Sequence, residues 1–292
     1  MPRDPEELRW KRLLKQASAG EIGLTELPKF PGIETDDAQW DPIANPVGTL
    51  PIEGAACRVE LLNQLKSGKE ATVYCCRAVT GTQERLIAVK RFLQITQRAF
   101  RNDTPYRIAK HPRTERRGRP QTQDTEDGLQ ARFSEWVARE YDTLSLLHRA
   151  GADVPKPLGR TGPYVLMEFI GDAERVAPLL HRVHLPKLQA QAVFDRLMAN
   201  VRLFLALNRV HGDLSAFNVL FQQDRPVIID FPQAVDPRDN PTAEALLHRD
   251  IGNLCRWLEQ RGGYANAGEL AGSMWTAFQR GALVPEARTG LG

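Results

Sequence analysis

Two acids and an amide in one short region could together do phosphate chemistry. In the stretch His211–Phe221, HGDLSAFNVLF, four residues separate Asp213 from Asn218. Nine residues past Phe221, the run VIIDFPQ delivers a second acid, Asp230. All three offer hard oxygen atoms at the ends of short apolar segments. Magnesium prefers oxygen, keeps several waters, and is usually held by one or two carboxylates plus substrate phosphates. An Asp that meets an acceptor hydroxyl, followed by an Asn and a second Asp on the metal, are the parts of a phosphoryl-transfer site. By itself the pattern is weak, because Asp and Asn are also common turn residues.

Such a site needs further parts upstream. In LIAVKRF, Lys90 alternates with Val89 on a strand and can reach phosphates; an exposed strand lysine is the ordinary reading. Glu140 falls among Phe133, Trp136, Val137 and Leu144 at helical spacing. A charge on an apolar stripe is costly unless paired, and Lys90 is the obvious partner; Glu126 and Glu135 are surface alternatives. The turn in LKSGKEATVY offers Ser67, Gly68 and Lys69 to an anion. It is not a Walker A loop: Asn63 stands where the first glycine should be, and Glu70 follows Lys69. The segment VLMEFIG fits a strand leading to a hinge, where backbone groups of Glu168 and Ile170 meet adenine. With Val73 on the strand after the turn, Ser67, Gly68, Lys69, Lys90, Glu140, Glu168 and Ile170 form the expected nucleotide-binding set. Each has an ordinary reading alone; their order along the chain points to a kinase-type site for ATP and Mg2+.

The elements that must position these residues follow from hydrophobic patterning. Residues 57–65, 71–79 and 85–92 read as three strands of an antiparallel meander. Residues 129–149 read as a helix stopped by Gly151. Two strands with a turn at Thr161–Pro163 come next. The chain then becomes helical: ERVAPLLHRV, a long apolar helix from Pro186, and closing helices from Thr242 and Ala267. Before all this, PEELRWKRLLKQA has helical spacing, and the Pro- and Gly-rich residues 27–51 read as irregular, pinned by Phe30 and Trp40. The expected fold is α+β and two-lobed, protein-kinase-like: a small antiparallel-sheet N-lobe with a helix, then a mainly helical C-lobe. Its divisions are an extension (1–52), the N-lobe (53–170) with a basic insert near 93–128, the C-lobe (171–283) and a tail (284–292).

Composition narrows the class. The chain has 292 residues, 42% hydrophobic, with a net charge of +3. That is ordinary for a globular protein and too weakly basic to imply nucleic acid. No apolar run reaches membrane-spanning length and no secretory leader is visible, so a cytoplasmic protein is expected. The four cysteines form no C-x-x-C pair and read as buried thiols. One segment is unusual. Between Arg98 and Arg119 there are eight Lys or Arg against two acids, with Tyr106 and His111 among them. It is read as a solvated loop, as a weak RNA or ribosomal contact through phosphates, or as a cover over nucleotide or an acidic substrate.

These residues resemble the RIO family of atypical serine/threonine protein kinases. SGKEATVY is similar to that family's phosphate loop, AVKRF and WVAREYDTLSLLHRAGADVPKPLG to its lysine strand and glutamate helix, and VLMEFIG to its hinge. HGDLSAFNVLF resembles its catalytic loop, IIDFPQAVD its metal loop, and LLHRDIGNLCRWL the helix that ends the domain. The resemblance implies that Asp213 is the catalytic acid/base, that Asn218 and Asp230 hold magnesium, that Lys90 contacts phosphate and that Glu140 orients Lys90. It also implies ATPase behaviour with Asp230 as phosphate acceptor, and a protein acceptor or self-labelling. His211 is expected to hydrogen-bond backbone around the loop, and Arg249–Asp250 to brace it. Departures from ordinary protein kinases are Gly212 in place of arginine, Pro232 in the D-F-G position, and no A-P-E segment. No winged-helix segment is visible before the kinase part, which points to a bacterial-type member. Outside the family, a sugar- or aminoglycoside-type kinase and a nucleotide-dependent RNA switch are the alternatives.

Overall fold

The protein is described here by a computed structural model covering residues 47–68, 70–93 and 126–284. The expected N-terminal helix, Lys69, most of the basic insert and the tail lie outside the described residues. The described chain forms two compact units.

The first unit holds six strands, the Arg132–Tyr141 part of a helix, and Lys156–Ala177. Its strands are β1 (Val47–Ile52), β2 (Ala55–Ser67), β3 (Ala71–Thr80), β4 (Gln83–Phe92), β5 (Pro157–Thr161) and β6 (Tyr164–Glu168). They pair antiparallel in the order β1-β2-β3-β4-β6-β5. Here the structure differs from the irregular chain expected over residues 27–51. Val47 to Ile52 is an edge strand, and Pro51 is tolerated because an edge residue can forgo its N–H. The β1–β2 turn places Glu53 and Gly54 at φ +51° and +84°. Two consecutive positive φ values match the right-handed twist of a two-residue hairpin.

The edge strands β1 and β5 also meet, so the sheet closes towards a barrel. The Glu53 N–H donates to Leu158 O at 2.6 Å. A Cβ at Gly159 would lie 2.3 Å from Pro51 O, so only glycine allows this approach. The interior is filled by Leu50, Val59, Tyr74, Cys76, Ile87, Val89 and Leu166, all buried. The opposite face carries Val73 and Lys90, which sit directly across from each other. Phe92 and Val165, also on strands of this sheet, pack with Phe133 and Val137 of helix α1 (Glu126–Arg149). Trp136 meets Phe92 edge-on at 4.9 Å.

The second unit is mainly helical. It contains α2 (Lys187–Ala206), the hairpin β7 (Val219–Gln222) and β8 (Arg225–Ile228), α3 (Ala243–Glu259) and α4 (Ala267–Gln279). Buried Asp153 anchors the hairpin to α2. Its carboxylate accepts two hydrogen bonds from Arg196, at 2.8 and 2.7 Å, and one from Asn200 at 2.7 Å. Its carbonyl accepts Ile228 N–H at 2.8 Å. This satisfied network was not anticipated from sequence.

The segment ERVAPLLHRV is not the expected helix. Only Leu180–Arg182 is helical, as one 3-10 turn. Pro178 lacks a donor, and the neighbouring backbone is spent elsewhere: Pro178 O accepts Phe221 N–H, and His181 N–H donates to Ala216 O. Tertiary hydrogen bonds replace the helical ladder.

Candidate active site

The β7–β8 hairpin decides where Asn218 and Asp230, the two expected magnesium ligands, stand. Val219 pairs with Ile228, so Asn218 and Ile229 lie opposite each other just outside the ladder, and Ile229 N–H donates to Asn218 O at 3.0 Å. Asp230 follows at once, at φ +75°. A non-glycine residue in the left-handed region costs roughly 1–2 kcal/mol, and such strain gathers at functional sites. The turn swings Asp230 out of the strand direction at the same hairpin end as Asn218.

Asn218 also clamps the first acid. Its Nδ2 donates to Asp213 O at 2.8 Å and to Asp213 Oδ2 at 3.3 Å. With Nδ2 committed, Oδ1 is the Asn218 atom left for a cation. Asp213 itself is exposed. The donor set is all oxygen and few in number, which fits magnesium completed by phosphate oxygens and waters. Among the described residues no group of three or more His, Cys, Asp or Glu converges on a metal position.

The loop around Asp213 is held by three side chains. His211 lies between the two acid-bearing segments: its Nε2 is 3.2 Å from Ile229 O, and its Nδ1 accepts Asp213 N–H at 3.3 Å. These partners assign the neutral Nε2–H tautomer. Burial pushes the His211 pKa down, outweighing the pull of Ile229 O, Asp230 and Asp213. Asp250 accepts Gly212 N–H at 2.8 Å and Leu214 N–H at 2.9 Å. Burial raises its carboxyl to about 7, against those two N–H bonds and Arg249. Arg249 donates to Gly212 O, and Asn253 Nδ2 to Leu214 O at 2.8 Å. The brace expected at Arg249–Asp250 is present; Asn253 was missed, since an asparagine on a helix carries no signal of its target.

Gly212 explains why no arginine precedes Asp213. Its φ is +81°, and a Cβ there would lie 2.6 Å from Gln233 O. Any side chain would collide with backbone.

The residues expected to bind nucleotide lie in the first unit. Lys90 and Glu140 are 5% and 4% exposed, and Lys90 Nζ donates to Glu140 Oε1 at 2.6 Å. This is the pairing expected from a carboxylate on an apolar helix face. Val73 is half-buried opposite Lys90. At the phosphate-loop turn, Gly68 N–H is already used: it donates to Ala71 O at 2.9 Å. The neighbouring Ser67 is exposed, its hydroxyl 3.4 Å from Thr72 Oγ1. In the hinge, Glu168 N–H donates to Lys156 O, and Ile170 O accepts Ala177 N–H at 2.9 Å. One lone pair of the Ile170 carbonyl is therefore taken within the hinge segment itself. Lys69 and the basic 98–119 stretch lie outside the described residues.

An antiparallel sheet with a buried Lys–Glu pair, and a helical unit carrying an Asp–Asn turn and a nearby Asp, define a protein-kinase-like fold. Two solved structures of the Rio2 kinase from Chaetomium thermophilum share it. One matches with TM-score 0.51 and 16% identity over 93% of this chain and 86% of that one. The other, an ADP/Mg2+-phosphoaspartate complex, matches with TM-score 0.50 and 18% identity over 74% and 68%. Residues 72–270 match the RIO domain, and the chain belongs to the RIO family. Among curated relatives, the RIO-type serine/threonine-protein kinase Rio1 of Thermoplasma acidophilum is 35% identical over 44% of this chain and 65% of its own. The Rio1 kinase of Haloferax volcanii is 29% identical over 70% and 66%. The matched stretches thus span just under two thirds of these relatives. Neither alternative class, sugar-type kinase or RNA switch, is favoured by these matches.

Proposed function

We propose that this chain is an ATP- and Mg2+-dependent phosphotransferase of serine/threonine kinase type, able to label a protein or itself and to hydrolyse ATP. The observation that carries the reading is the clamp of Asn218 on Asp213, set at the hairpin end that also bears Asp230. Asp213, exposed and fixed by its own backbone, orients or deprotonates the acceptor hydroxyl. Asn218 Oδ1 and the Asp230 carboxylate would hold magnesium, which supplies charge neutralisation at the phosphates when bound. Lys90, kept in place by Glu140, contacts the α- and β-phosphates. Ser67, Gly68, Lys69, Val73, Glu168 and Ile170 surround the nucleotide. Catalysis on this reading is mostly positioning and electrostatics. Asp230 is a secondary phosphate acceptor, in line with the phosphoaspartate of the Rio2 complex. The basic 98–119 stretch adds weak RNA contacts. A cytoplasmic setting suits the four buried free cysteines; among the described residues no helix is long and apolar enough to cross a membrane.

The test is incubation with γ-labelled ATP and magnesium, followed by location of the label on serine, on an aspartyl group or in free phosphate. Asp213→Asn should lower transfer by about 10²–10⁴-fold, the usual worth of a positioned base. Normal turnover in that variant would reject the assignment.

A further inference from the structure

We propose that the exposed ring of Phe217 is a platform for an apolar residue flanking the acceptor hydroxyl of a protein substrate. The proposal rests on the phosphotransfer reading above and deepens it by naming a specificity-determining side chain. Phe217 lies within the catalytic turn itself, between Asp213 and Asn218, yet its side chain does not join the core: it is 61% exposed. Among the described residues four other large hydrophobic side chains are exposed, Val176, Leu188, Tyr264 and Val284, and none lies in this turn.

The ring is held rather than loose. It stacks on His181 with centroids 4.1 Å apart and planes 28° from parallel. His181 is placed in turn by backbone, because its N–H donates to Ala216 O at 3.1 Å. Arg182 Nε–H donates to His181 Nε2 at 3.3 Å. On the other side, Phe217 N–H donates to Ser215 Oγ at 3.3 Å, and Asn218 N–H to Ser215 O at 2.9 Å. One face of the ring is therefore covered by an imidazole, while much of its surface stays in water. A rigid, half-covered aromatic presents a large contact area at low entropic cost, which is how aromatic anchors work at protein interfaces. Its place in the turn that receives the acceptor favours a polypeptide whose own hydroxyl is the acceptor over a nucleic-acid base stacked on the ring.

The test uses four synthetic serine peptides that differ only in the residues beside the serine: Phe, Leu, Gly or Glu. Steady-state phosphorylation is measured for the parent protein, Phe217→Ala and Phe217→Tyr. The parent should favour the Phe and Leu peptides by about tenfold in KM with kcat little changed, the mark of binding shared by ground and transition states. Phe217→Ala should erase the preference, and Phe217→Tyr should keep it. A parent that treats the four peptides alike, including one that phosphorylates none, overturns the platform. So does a Phe217→Ala protein that keeps the preference, or one whose sole defect is weaker binding of single-stranded RNA. Failure of the underlying phosphotransfer reading shows separately, as a parent that neither labels itself nor hydrolyses ATP with magnesium.

Discussion

Asp250 holds the loop around Asp213 by accepting two backbone N–H groups with two different oxygens, so its chemistry cannot be copied by an amide. Asp250→Asn keeps one acceptor and sets an NH2 against a donor. A cost of about 1–3 kcal/mol in urea unfolding is expected, the usual penalty for an unmet buried group. The variant should also change the pH profile. Burial raises the folded-state carboxyl from its ordinary 3.8 to about 7, so the folded chain binds the extra proton between those values. The stability this group contributes is fully present below pH 3.8 and is lost as pH rises through about 7. The parent-minus-variant stability difference should therefore fall across that window and flatten above it. A difference that rises with pH would contradict the burial-driven shift. Gly212→Ala should cost at least about 2 kcal/mol, because a left-handed penalty of about 1–2 kcal/mol adds to the clash with Gln233 O. These residues were readable to different degrees. Asp250 was legible through motif resemblance, His211 through its place at the head of the loop, and the Lys90–Glu140 pair through a charge on an apolar stripe. The αL turn at Asp230, the spent Gly68 N–H and the exposure of Phe217 were not readable. They depend on backbone direction and on neighbours distant in sequence.

The β1–β5 seam is made by elements that lie more than a hundred residues apart and meet through one missing side chain. Gly159→Ala puts a Cβ against Pro51 O, which is backbone and cannot rotate away. A loss of about 1–3 kcal/mol is expected, as for overpacked cores. Hydrogen exchange should quicken at β1 amides first. Unchanged protection there would show that the seam does not depend on the glycine. Glu53 supports the same corner, with Arg85 at 2.8 Å and Lys156 at 2.5 Å, but this pair of bridges is exposed and contributes little. The central strands and α1 were readable, because β-branched runs and a helical stripe are local signals. Strand β1 was not, because its proline and glycine mimic a loop and its partners are remote. The 3-10 turn at Leu180–Arg182 failed for the converse reason: an apolar helical pattern was overridden by hydrogen bonds to Ala216 and Phe221.

The chain as a molecule pairs an ordinary composition with one strongly basic stretch. If residues 98–119 contact RNA phosphates, affinity for structured RNA should fall steeply as salt rises, with a log–log slope of about −0.7 to −0.9 for each phosphate neutralised. Affinity indifferent to salt would contradict phosphate contacts. The two-unit α+β architecture was readable from the switch between strand and helix periodicity, and the matched RIO domain runs through both units. The acceptor was not readable, because the segment after Asp230 carries no A-P-E platform to compare.

We propose that Asp230 and Asn218 hold the magnesium of a bound ATP and that Lys90 contacts ATP phosphates. The most direct measurement is ATP affinity by calorimetry, with and without Mg2+, in the parent, Asp230→Ala and Lys90→Met. The account predicts that magnesium tightens ATP binding in the parent, that Asp230→Ala abolishes this gain, and that Lys90→Met weakens binding with or without the metal. An undiminished magnesium gain in Asp230→Ala, with unchanged ATP affinity in Lys90→Met, would contradict it.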